Sequence, residues 1–225
     1  MTLITGWPLE ISVDDILRGQ GADPQIVHSS KPMLAAAAER ARVEGQSLIH
    51  PVSLTREIGV RAHRHERIIL ENDARLTGPL VTRHFAGAQR LVAVVCTIGS
   101  ELENAVTRLL GEDSLFAFAL DGLGNAAVEI LSQKICAHIG LQIQTENLTA
   151  STPLSPGSPE WPVETGQGQI FALLEPSRAG IELTSGGMMI PKKSMSFIVG
   201  IGPDMSQTGL CAICSLKQTC RYQHA

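Results

Sequence analysis

The chain has 225 residues, 44% of them hydrophobic and 18% charged, enough apolar material for one large domain or two small ones. A formal net charge of −4, with no basic run longer than Lys192-Lys193, excludes the basic footprint of a nucleic-acid binder. Met1 to Glu10 shows no cationic segment leading into an apolar one, and apolar runs such as Leu91 to Cys96 are too short to span a bilayer. A cytoplasmic protein with no membrane partner is therefore expected.

Val13 to Leu17 reads as a short helix with acidic residues in its first turn, ended by Gly19 and Gly21. Pro32 to Glu44 carries Met33, Leu34, Ala37, Ala38, Ala41 and Val43 on good helix formers, and Gly45 closes that helix. Leu48 to Ile58 reads as extended, Arg67 to Leu70 as a strand, Asn72-Asp73 as a turn, and Gly78-Pro79 as the start of a further helix. Arg90 to Gly99 is β-branched and almost wholly apolar, the clearest buried strand in the chain. Ser100 is placed as the N-cap of a helix to Leu110, with Glu101 and Glu103 in its first turn. A longer helix is expected from about Ser114 to His138, where Gly122 and Gly124 invite another backbone to approach closely.

Between Pro153 and Pro162 four prolines fall within ten residues and forbid regular structure. A loop of that length is more often functional than decorative. Gln167 to Leu174 then reads as a helix, Gly180 to Thr184 as a strand, Ser185-Gly186-Gly187 as a turn, and Ser194 to Ile201 as a closing strand. With no repeat and no linker, residues 1–205 form one domain, and 206–225 are a cysteine-rich tail.

The order of these pieces resembles the activation (reactivation) domain family of cobalamin-dependent methionine synthase, as a stand-alone homologue. The resemblance rests on Gly87-Ala88 before the strand ending Thr97-Ile98-Gly99, and on Leu102-Glu103. It continues through Leu120 to Glu129 on the long helix, Ser155-Pro156-Gly157, Trp161-Pro162, and Gln169 to Leu174. Leu183-Thr184, Met188 to Pro191 and Lys193 to Ser196 complete it. It implies an α+β fold, a twisted antiparallel sheet with flanking helices. It also implies S-adenosylmethionine in a shallow groove and a corrinoid held by a partner, either a corrinoid-binding protein or a cobalamin-dependent methyltransferase.

By the same resemblance the donor would lie near Asn125, Glu129, Ser155, Pro156, Gly157 and Ser158. The sequence departs from the family at four polar anchors. Pro153 stands where an arginine would pair with the donor carboxylate, and Ser158 where a tyrosine follows the Pro-Gly pair. Asn125 stands for a glutamate suited to the donor's amino group, with Glu129 one turn away, and Ser185 for an acidic residue. Two readings follow: a reactivation module that keeps donor binding, or a non-catalytic scaffold of a corrinoid system that has lost it.

On their own chemistry, Ser155 and Ser158 flank a glycine that lets a ligand approach the backbone, or else belong to a rigid surface loop. Glu129 reads as a ligand contact or a solvated charge, and Lys192-Lys193 as ordinary surface or as a contact to an acidic partner or a corrinoid phosphate. His63, His65, His84 and His138 have no metal-ligand spacing.

Three of the five cysteines fall in the last fifteen residues. Cys211 and Cys214 form a CxxC, which turns two thiolates toward one ion, and Cys220 supplies a third. Zinc would take His224 as a fourth ligand; an iron–sulfur cluster would take Cys96, Cys136 or an external ligand. The reading favours the cluster, since corrinoid reactivation begins by reducing cobalt. Cys96 and Cys136 otherwise read as small core residues.

Overall fold

A computed structural model describes residues 1–206. The chain opens on a short strand, β1 (Thr2–Thr5), and reaches its first helix, α1 (Val13–Gly19), through Ser12. Ser12 and Asp15 exchange hydrogen bonds in a capping box that satisfies two otherwise unpaired amides. Asp23 caps α2 (Pro24–Ser30), and α3 (Pro32–Glu44) stops at Gly45 as expected. β1 and α2 carry no periodic signal in the sequence. β1 forms by pairing Thr2–Thr5 with residues of the next strand, and α2 by its Asp-Pro start.

β2 (Val52–Arg64) is 13 residues long and has two partners in succession on one edge. Val52 to Thr55 pair with β1, and beyond an irregularity between Val60 and Ala62 the strand pairs with β3 (Arg67–Leu70). β4 (Arg75–Thr77) and α4 (Pro79–His84) follow. β5 (Arg90–Thr97) then pairs with the other edge of β2, Val52 opposite Thr97 through Gly59 opposite Arg90.

After β5 the chain turns through Gly99 at φ +83°, and the Thr97 hydroxyl accepts the Gly99 amide at 3.1 Å. Ser100 is already helical and its side chain makes no cap, unlike the expectation, because the Thr97 hydroxyl holds the turn one residue earlier. α5 (Glu101–Leu109) leads to α6 (Ser114–Gln142), which the Asp113 carboxylate caps at Phe116 N. β6 (Thr149–Ala150) follows, then the proline-rich loop and α7 (Val163–Leu173), which begins as soon as Pro162 has passed, four residues earlier than expected. β7 (Glu182–Leu183) and β8 (Met189–Ile190) make a two-stranded hairpin, and β9 (Ser194–Gly202) completes the main sheet.

That sheet has the order β4-β3-β2-β5-β9-β6 with β1 beside β2, and every pairing is antiparallel. Both of its faces are covered, which explains the continuous apolar run in β5. Val92, Val94 and Cys96 face the layer of α1, α3, α5 and α6. Leu91, Ala93 and Val95 face the layer of α4, α7, Leu154 and Trp161. Antiparallel strands normally alternate apolar and polar; burial on both faces removes the polar half.

α6, extended to Glu146, is long and apolar enough by length and composition to cross a membrane. Most of its apolar residues pack in the core, among them Phe116, Leu120, Leu123, Leu131, Ile135 and Ile139, while Phe118 and Leu141 are exposed. Gly122 allows the backbone approach foreseen for it, with Gly19 as its counterpart, whereas Gly124 faces the side chains of Leu102 and Lys193. A Cβ on Gly19 of α1 would lie 2.3 Å from the Gly122 carbonyl oxygen, and one on Gly122 would lie 2.8 Å from that of Ile16.

Candidate functional site

The proline-rich loop is built from its own backbone. Ser151 to Leu154 run antiparallel beside β9, with reciprocal Leu154–Ile198 hydrogen bonds at 2.9 Å. The chain then turns: Ser158 N and Ser158 Oγ both donate to the Ser155 carbonyl, at 3.2 and 2.7 Å, and Gly157 N donates to the Trp161 carbonyl at 2.9 Å. Pro156 and the buried Trp161 press against Gly166 of α7, where a Cβ would lie 2.8 Å from Pro156 Cβ. The Trp161 indole donates to Gln169 Oε1, and Gln169 Nε2 in turn donates to Thr77 Oγ1 at 2.6 Å, which ties the loop to β4. Ser155, Pro156 and Ser158 are half-buried and Gly157 is exposed. The loop is tied at several points by hydrogen bonds, and the Ser158 hydroxyl is engaged within it.

Asn125 sits in the other layer, on α6. Its Nδ2 donates to the Gly19 carbonyl at 2.9 Å, and its Oδ1 accepts the Lys193 ammonium at 2.6 Å. Asp121, one turn earlier on the same face, takes the same ammonium at 2.7 Å. The Lys193 side chain is only 15% exposed, so the expectation of an ordinary surface lysine does not hold for it. Its stem crosses Gly124, where a Cβ would lie 3.1 Å from Lys193 Cε. The turn that carries it is fixed as well. The Lys193 carbonyl accepts Thr97 Oγ1 and Ile98 N, and Lys192 N donates to Glu103 Oε2 at 2.9 Å.

The resemblance puts Asn125 and Glu129 with the Ser-Pro-Gly loop; the fold distributes them to opposite layers of the sheet. β9 is the element they share: Lys193 leads into it, and Ser196 Oγ within it donates to Gln167 Oε1 at 2.7 Å, beside Gly166. Glu129 is exposed and its carboxylate accepts from Gln133. Lys193 and Asp121 were not singled out as site residues. The Asp121/Asn125 spacing on one helix face was a legible signal, but their partner lies 68 residues beyond Asn125.

Two further features have no sequence signature. A groove of about 860 Å³ runs between the N-terminal segment and the helices, lined by Trp7, Leu9, Ile11, Arg42, Ile49 and Leu123 among others. Its cation is already paired, since Arg42 Nε and Nη2 both reach Glu39 at 2.7 Å. That bond holds Glu39 below the usual carboxylate range and raises Arg42. Beside Gly122, Gln20 places its side-chain amide nitrogen in the interior without a hydrogen-bond partner.

Among the described residues no three His, Cys, Asp or Glu side chains gather as a metal site. Cys211, Cys214, Cys220 and His224 lie outside the described residues. Cys96 and Cys136 are in the helix layer, where burial pushes their thiols up to about 12 and about 11. Both pack as the small core residues their setting suggested.

No protein-family model and no curated protein matches the sequence. In fold the chain is similar to a solved structure, the MetH reactivation domain bound to AdoHcy, with a TM-score of 0.65, 14% identity, and coverage of 93% of this chain and 81% of that one. The chain described above has the fold of that domain, a mixed α+β architecture built on an antiparallel sheet with helices flanking it.

Proposed function

From that shared fold, we propose that the chain is an accessory module that serves the reductive reactivation or remethylation of a corrinoid protein. The observation that carries the reading is the likeness to a reactivation domain bound to AdoHcy over nearly the whole chain. AdoHcy is what S-adenosylmethionine becomes once its methyl group has left, so the ligand class is that of a sulfonium methyl donor. Transfer of a methyl group from a sulfonium to reduced cobalt needs in-line placement and no side-chain acid or base, so catalysis is positioning. The reading requires no catalytic dyad or triad. Asn125 and Glu129 on one side of the sheet, or the Ser155–Ser158 turn on the other, are the proposed donor contacts. The corrinoid belongs to a partner, a corrinoid-binding protein or a cobalamin-dependent methyltransferase, and the setting is cytoplasmic.

A second reading is a scaffold of the same system without donor binding. It is favoured by Asn125, whose amide is occupied at both ends, and by Ser158, whose hydroxyl is turned inward. Calorimetry with S-adenosylmethionine separates the two. Micromolar binding is expected of the reactivation module; no heat at millimolar donor would leave the scaffold.

A further inference from the structure

We propose that Asp121 and Asn125 form an ammonium cradle that Lys193 fills from within the chain, so that an amine-bearing ligand enters only by displacing this lysine. Two acceptors one turn apart on α6 converge on a single ammonium, at 2.7 and 2.6 Å. Asn125 cannot turn away without losing its bond to the Gly19 carbonyl, so its Oδ1 is aimed before any cation arrives. Both bonds of Asn125 are met by one amide orientation, nitrogen to the carbonyl and oxygen to the ammonium. A single carboxylate supplies the countercharge, and the amide adds a neutral acceptor. Together they suit a primary aliphatic ammonium.

The plug is delivered by a rigid element. Lys193 comes from the turn before β9, and Thr97, Ile98 and Glu103 hold that turn through its backbone. The stem lies along Gly124, where an added Cβ would crowd it at 3.1 Å. Asp121 remains 44% exposed while Lys193 is 15% exposed, so the cradle opens to solvent on the carboxylate side. A tethered ammonium competes at a high effective concentration, which keeps free amines out of the intact protein. The cradle deepens the methyl-donor reading and rests on it for its natural ligand, because such a donor carries an amino group.

Lys193→Ala removes the atoms of a propylammonium ion and supplies the test. Propylammonium chloride should raise the Tm of that variant saturably and leave the unaltered protein unmoved, while propanol should do nothing. Adding Asp121→Asn should abolish the response. A variant that responds no more than the unaltered protein, or a double variant that still responds, overturns the cradle. Should Lys193→Ala not fold, 15N-lysine spectra of the intact chain decide. The Lys193 ammonium should be resolved and slow to exchange, then lose that protection in Asp121→Asn; exchange at the rate of surface lysines overturns the proposal. Opening the cradle should also tighten S-adenosylmethionine binding about tenfold or more. Propylammonium binding without donor binding keeps the cradle and rejects the methyl-donor reading; donor binding without any propylammonium response does the reverse.

Discussion

Cys96 stands near the end of β5, in the layer of α6, and burial dominates its chemistry. Removal from water pushes the thiol from 9.0 to about 12, only partly offset by the hydrogen bond with the Met195 backbone. The folded state therefore keeps a proton that the unfolded chain releases above pH 9. The stability due to this group is complete below pH 9 and is lost as pH rises toward 12, at about 1.4 kcal/mol per pH unit. Cys96→Ala should flatten the alkaline limb of urea-unfolding stability; an unchanged slope would contradict this account. The apolar strand around Cys96 announced its burial. Lys193 is the opposite case, because two lysines between a proline and a serine look solvated in one dimension.

Among elements, α1 and α6 cross closely at Gly19 and Gly122. Gly122 was legible as a point of close approach, yet nothing in the local pattern named α1 as the partner. A methyl group there would meet the Ile16 backbone at 2.8 Å and Gln20 Cγ at 2.4 Å. The side chain of Gln20 can yield, but the backbone cannot. Gly122→Ala should cost about 1–3 kcal/mol, read from chemical unfolding, despite alanine's better helix propensity. A stabilised variant would show that α1 shifts freely. The proline-rich loop was legible as irregular from its prolines. Its tie to β4 was not, because that runs through Trp161, Gln169 and Thr77, which the fold brings together across 92 residues.

At the scale of the molecule, two buried layers share one sheet, and the cysteine tail continues from the strand that closes it. We propose that Cys211, Cys214 and Cys220 hold an iron–sulfur cluster or a zinc ion. Anaerobically purified protein should carry iron and sulfide, or zinc, in stoichiometric amount. Cys214→Ser should lose it, with the Tm of the folded domain left as the control. Metal-free protein that is fully folded and competent for its partner would reject a role for the tail.

Strand and helix identity in the middle of the chain was settled locally. The apolar run of β5, the glycine-bounded α3 and the length of α6 each follow from side-chain chemistry within one segment. Motif order along the chain was enough to name a fold. Tertiary structure alone decided that Asn125 and the Ser-Pro-Gly turn lie on opposite layers, and that the Asn125 amide already holds a lysine. Periodicity reports which face of an element is buried. It carries no information about which distant charge will be desolvated against that face, since the pairing energy exists only once the sheet has closed.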